Sequence, residues 1–157
     1  MNDILILADT RQQKDAHITN YFDKNNIQWI RTGLPSADYM AVRYNNGFIK
    51  DYSVLIDTKK NVEEIAGNLC RTTDHERVKR EIERARELGC KQFIFLICDN
   101  KIKSIDDLKN WSSKRTRVSG ITLLKIMRTM SERYNVRFIF TSKQNAGAKI
   151  LSLLQNN

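Results

Sequence analysis

The chain has 157 residues, enough for one domain and too few for two ordinary ones, and its 41% hydrophobic and 29% charged content excludes wholesale disorder. No apolar run approaches the roughly 20 residues that span a bilayer, and the opening MNDILILADT lacks a basic segment and a cleavage site, so a soluble cytoplasmic protein is expected, with no membrane partner. Residues 1–100 carry 15 cations and 15 acids, whereas residues 101–157 carry 12 and 3, so the whole net charge of +9 sits in the last third; this asymmetry predicts a polyanionic partner, most simply nucleic acid, with a ribosome or an anionic membrane surface fitting the charge equally.

In chain order, ILILA (4–8) reads as a buried strand ending at Asp9. Residues 13–25 form a helix with Ile18, Tyr21 and Phe22 at helical spacing, and IQWIRT (27–32) a second strand. LPSADYMAV (34–42) leads into a third, and Asn45, Asn46 and Gly47 supply a hairpin turn. YSVLIDTK (52–59) is a fourth strand running out into charge. Asn61 caps a short helix with Glu63 and Glu64 in its first turn, and a longer helix runs from Asp74, as cap, to Leu88 with Gly89 as its stop. KQFIFLIC (91–98) is too continuously apolar for a surface strand and belongs in the middle of the sheet. Ser104 with Asp107 resembles a capping box for residues 104–111, SSKRTRVS (112–119) is a polar loop, 121–134 an amphipathic helix, 136–141 a strand and 146–155 a closing helix. The expected fold class is α/β, a mixed central sheet flanked by helices on both faces.

Cys70, Cys90 and Cys98 show no CxxC spacing and read as thiols of a reducing compartment. His17 and His75 stand apart, which argues against chemistry resting on clustered histidines. Acids and one lysine gather at strand ends: Asp9 closes the first strand, Asp38 opens the third, and Asp57 and Lys59 close the fourth. Side chains two apart in a strand share a face, so Asp57 and Lys59 project together and Thr58 points away. Clustered carboxylates suit Mg²⁺ or Mn²⁺, and an adjacent lysine can orient or deprotonate a water and offset developing charge. The same Asp-x-Lys spacing also arises as an ordinary surface ion pair.

ADTRQ (8–12), LPSADYM (34–40) and VLIDTKKNVEEIAGNL (54–69), in that order, resemble the nuclease domain of the XPF-type structure-specific endonucleases, a branch of the PD-(D/E)XK superfamily with a restriction-endonuclease-like fold. That family's pattern is Asp-x-Arg-Glu, then Gly-Asp-Tyr, then Glu-Arg-Lys-x-x-x-Asp. Residues 74–98 and 118–154 also look like the family's later segments, the latter like short single-domain forms of bacteria and phages. The resemblance implies a metal-dependent endonuclease, with Mg²⁺ or Mn²⁺ as cofactor, acting on branched, flapped or forked DNA in repair or recombination. It implies Asp38 and Asp57 as metal ligands, Lys59 as the catalytic lysine, Asp9 as a further metal-shell group joined by the Thr58 carbonyl, Arg11 as a phosphate contact or site support, and Glu63 as an orienting acid. The departures are Ala37 for glycine, Asp57 for glutamate, Thr58 for arginine, Gln12 for an acid and Glu63 for aspartate. Residues 1–157 are expected to form a single nuclease domain without the helix-hairpin-helix domain of eukaryotic relatives, pairing as a homodimer or with a different partner. The alternative is a non-catalytic nucleic-acid-binding module that retains the fold.

Lys109, Trp111, Lys114, Arg115 and Arg117 form a cationic and aromatic stretch uninterrupted by acids. It reads as a DNA-contact loop, with cations on phosphates and a base on the indole, or as a basic connection with Trp111 tucked into the core. Arg77, Arg80 and Arg84 beside Glu76, Glu81 and Glu83 read as a solvated, ion-paired helix face.

Overall fold

The structure is a computed structural model and describes residues 4–156. Six strands form one sheet in the order β2-β1-β3-β4-β5-β6, from β1 (Ile4–Asp9), β2 (Trp29–Thr32), β3 (Tyr39–Tyr44), β4 (Phe48–Lys59), β5 (Gln92–Cys98) and β6 (Val136–Thr141). β3 runs antiparallel to both β1 and β4, and the remaining pairs are parallel. β5 is therefore flanked on both sides, as its apolar run requires.

Period-2 alternation divides the core between the two faces. Leu55, Phe93, Phe95 and Ile97 pack toward α2 (Val62–Cys70), α3 (Thr72–Glu87) and α4 (Gly120–Tyr134). Ile56, Ile94 and Leu96 pack toward α1 (Ala16–Lys24) and α5 (Ala146–Gln155). Burying a side chain of this size stabilises the fold by roughly 1.5–3 kcal/mol. Among the described residues no helix is long and apolar enough to cross a membrane.

Local chemistry accounts for most element ends. Asn61 accepts the Glu64 N–H and caps α2, Ser119 accepts the Thr122 N–H and caps α4, and the hairpin turn uses positive φ at Asn46 and Gly47. Several boundaries differ from the sequence expectation, among them the start of β4 at Phe48 instead of residue 52, where the hairpin pairs down to its turn, and three in helical segments. α1 starts at Ala16, because the preceding segment is held outside the helix by Asp15, whose buried carboxylate accepts bonds from the Tyr39 hydroxyl and from both terminal nitrogens of Arg31. α3 starts at Thr72 with Arg71 as cap, and Asp74 lies in its first turn paired with Arg77. Residues Ile105–Asn110 form a 3-10 turn in which Ser104 makes no side-chain cap, while Asp107 accepts the Lys103 N–H.

Candidate active site

Strand direction builds the site. Because β3 is antiparallel to β1 and β4, the end of β1, the start of β3 and the end of β4 meet at one sheet edge, which brings Asp9, Asp38 and Asp57 into one region. Asp57 continues the alternation of Leu55 toward the α2–α4 face and is buried, 7% exposed. Its Oδ2 lies 3.3 Å from Lys59 Nζ, so the two side chains project together as the strand period requires. Asp38 Oδ2 accepts both the Thr58 N–H at 2.8 Å and the Thr58 hydroxyl at 3.0 Å.

Burial pushes the Asp57 carboxyl well above the usual carboxylate range, the charge of Asp38 adds to that, and Lys59 opposes it; Glu81 contributes in the same direction as Asp38. Burial disfavours the Lys59 ammonium, yet Asp57 and Glu64 more than offset it and raise the lysine. Lys59 is therefore held as a cation.

The other expected residues are distributed as follows. Asp9 is buried, and its two oxygens accept the Leu34 N–H at 2.9 Å and Arg11 Nε at 2.6 Å. Arg11 Nη2 also donates to the Leu34 carbonyl, and its hydrogen bond with Asp9 raises the guanidinium further. Asp9 and Arg11 thus clamp the backbone leading to Asp38. Thr58 faces away from Asp57 and Lys59 as expected, but its N–H and hydroxyl hold Asp38. Glu63 is turned away from Asp57 to the basic loop, accepting the Ser113 hydroxyl and the Lys114 N–H. The acid beside Lys59 is its neighbour Glu64.

Glu81 corrects the reading of α3 as a solvated ion-paired face. Its Oε1 accepts the Ala37 N–H at 3.1 Å, and its charge acts on Asp57 and Arg11. The signal in the sequence is its place beside the apolar stripe Val78, Ile82 and Ala85, all buried. Ala37 itself has φ +62°, the conformation in which glycine is unstrained.

The basic stretch is partly as read. Lys109, Lys114, Arg115 and Arg117 are exposed. Trp111 packs half-buried against the core and donates its backbone N–H to the Leu108 carbonyl, so its ring has the core contact of one reading of this stretch while part of it stays exposed. The loop is closed by a Ser112–Ser119 bridge and by Gly120 N–H donating to the Trp111 carbonyl. Beside Lys59 opens a cleft of about 430 Å³ whose lining includes Arg11, Gln12, Lys14, His17 and Lys60. Burial and the charge of Lys143 hold the His17 imidazole below its ordinary value, leaving the arginine and lysines as the cleft's cations.

A divalent cation fits this donor set on one observation: Asp57 and Asp38 crowd together with too little positive charge to hold both ionised comfortably. Among the described residues no three His, Cys, Asp or Glu side chains are already gathered as a metal cage. Mg²⁺ commonly takes one or two carboxylates and fills its remaining positions with water and substrate phosphate, a donor set of the size that Asp38 and Asp57 offer.

The mixed sheet with helices on both faces is a restriction-endonuclease-like fold. Two solved structures share it. One is XPF from Aeropyrum pernix, with TM-score 0.69 and 16% identity over 97% of this chain and 66% of that one. The other is the same protein in complex with DNA, with TM-score 0.66 and 15% identity over 97% and 64%. This chain thus spans about two thirds of the length of those structures. The ERCC4-domain profile matches residues 8–154, and the chain belongs to that family, the XPF-type nucleases. No curated protein matches it.

Proposed function

We propose that this domain is a divalent-metal-dependent endonuclease that hydrolyses phosphodiesters in branched, flapped or forked DNA. The observation that carries this reading is the buried Asp57, paired with Lys59 at 3.3 Å and crowded by the charge of Asp38, with Lys59 itself lining a cleft that also holds Arg11, Lys14 and Lys60. Asp38 and Asp57 would hold the metal, with Mg²⁺ or Mn²⁺ as the candidates. The bound ion would supply charge neutralisation at the phosphate and a more acidic water. Lys59, held protonated between Asp57 and Glu64, orients the attacking water and offsets charge developing on the phosphate oxygens. Arg11, Lys14 and Lys60 bind the flanking phosphates. The exposed cations of the 112–119 loop extend the grip, and selection among branched structures rests on that loop or on a second subunit.

The test is cleavage of labelled fork, flap, Holliday-junction and linear duplex DNA in Mg²⁺ and in Mn²⁺, with Lys59→Ala in parallel. Cutting of a branched substrate by the wild type alone supports the reading. Salt-sensitive binding without cutting, indifferent to chelator and to Lys59→Ala, would make the domain a non-catalytic binding module.

A further inference from the structure

Two positions that carry no charge here, although each lies among charged groups, touch one another at the sheet edge. Gln12 Nε2 donates to Thr58 Oγ1 at 2.6 Å, and Thr58 Oγ1 donates to Asp38 Oδ2 at 3.0 Å, alongside the Thr58 N–H at 2.8 Å. A threonine hydroxyl has a single hydrogen. While Gln12 occupies a lone pair of that oxygen as donor, the hydrogen has Asp38 as its acceptor. Gln12 is itself fixed at both ends of its backbone: its N–H donates to the Asp9 carbonyl, and its carbonyl accepts Arg31 Nη1, whose guanidinium is anchored on buried Asp15. The direction of the chain therefore runs from a rigid backbone, through one amide and one hydroxyl, to the carboxylate.

We infer that Gln12 and Thr58 are positioning residues that hold Asp38 in its site conformation through a one-way hydrogen-bond chain. Neither need touch substrate. This rests on the reading of Asp38 as part of the endonuclease site. It makes an unusual demand on position 12: an amide that donates supports the chain, whereas a carboxylate, which can only accept, takes the Thr58 hydrogen for itself and strips it from Asp38. Loss of the side chain is less harmful than its replacement by an acid, because the hydroxyl is then still free to donate to Asp38.

The experiment compares Thr58→Val, Thr58→Ser, Gln12→Ala and Gln12→Glu, together with the Gln12→Glu/Thr58→Val double variant, in single-turnover cleavage and in denaturant unfolding. Removing one hydrogen bond to a carboxylate is expected to lower kcat about tenfold in Thr58→Val with KM little changed. Thr58→Ser restores the rate, Gln12→Ala stays within about threefold of wild type, and Gln12→Glu falls as far as Thr58→Val. The double variant is no slower than Thr58→Val alone, because the glutamate acts only through the hydroxyl. A Gln12→Glu enzyme as fast as wild type, or a double variant slowed by the product of the single effects, overturns the chain. The unfolding data separate this inference from the activity it rests on. If no substrate is cut but the two substitutions are non-additive in stability, the chain stands and the endonuclease reading falls. If they are additive in stability, the chain falls whatever is cut.

Discussion

Gly120 sits where α4 begins, and a single methyl group there should disable both the domain's stability and its basic loop. A Cβ at this position would lie 1.5 Å from the Leu108 carbonyl oxygen, 2.6 Å from its carbon and 2.7 Å from the Trp111 carbonyl oxygen, all backbone atoms. To reach ordinary contact distance the start of α4 and the 3-10 turn must separate by nearly 2 Å. That movement breaks the buried Gly120 N–H bond to Trp111, which costs about 1–3 kcal/mol, and disturbs the packing of fully buried Leu108 and Leu123, for which overpacked cores lose about 1–3 kcal/mol. The better helix propensity of alanine returns at most about 1 kcal/mol. Gly120→Ala should therefore destabilise the domain by about 1–5 kcal/mol, or roughly 2–20 °C in melting temperature for a chain of this size. Because Trp111 and Gly120 close the stem of the 112–119 loop, DNA affinity should fall as well. Calorimetry and fluorescence anisotropy on the same preparation check both. A melting temperature within about 2 °C of wild type would refute the close approach as a constraint.

Burial and Asp38 make the folded Asp57 carboxyl hold its proton more tightly than the unfolded chain does. Its contribution to stability is complete below the unfolded carboxylate pKa, near 3.9, and is lost as pH rises through the raised folded value; Asp57→Asn should flatten that decline in melting scans from pH 4 to 8, and parallel curves for variant and wild type would contradict the burial argument. Glu81→Ala strands the Ala37 N–H and should cost about 1–2 kcal/mol in urea unfolding, whereas Glu81→Gln keeps the acceptor and should stay near wild type; equal losses would show that the hydrogen bond is not what Glu81 provides. Replacing Lys114, Arg115 and Arg117 with glutamine should reduce the slope of log affinity against log salt by about 0.9 for each phosphate that the loop no longer neutralises, and an unchanged slope would remove the loop from the DNA interface.

What the sequence revealed of the fold and site follows from which interactions are local. The continuous apolar run of 91–98, the Asn61 and Ser119 caps and the Asn46-Gly47 turn are set within a few residues, and each stands in the structure where its local pattern put it. The Asp57–Lys59 pair is likewise a consequence of strand period alone. The acids that surround the pair are harder to read. Glu63 matches a family position and yet binds Ser113 and Lys114, because one step along a helix turns a side chain by about 100°, and it is Glu64 that faces Lys59. Glu81 reaches Ala37 across 44 positions of sequence, a contact that only the packing of α3 on the sheet creates. The late start of α1 has the same origin, since Arg31 and Tyr39 claim Asp15 from other strands and override the local helical pattern.

Ala37 shows why a departure from a family pattern need not weaken a site. With φ at +62° an alanine costs roughly 1–2 kcal/mol relative to an unstrained residue. Glycine would remove that strain but would cost about 0.5–1 kcal/mol in greater unfolded-state freedom. It would also lose the alanine methyl, which lies in the core at 3% exposure and contributes about 0.8 kcal/mol. The opposing contributions nearly cancel, so the substitution leaves the turn almost as stable. The turn is further held by backbone bonds on its far side, where the Asp38 N–H donates to the Ile56 carbonyl and the Asp38 carbonyl accepts the Asp9 N–H. With Glu81 taking the Ala37 N–H as well, the backbone presenting Asp38 is fixed by three bonds from three different elements. The conformation that glycine would adopt freely is imposed here by tertiary contacts, and the carboxylate reaches Thr58 and Asp57 all the same.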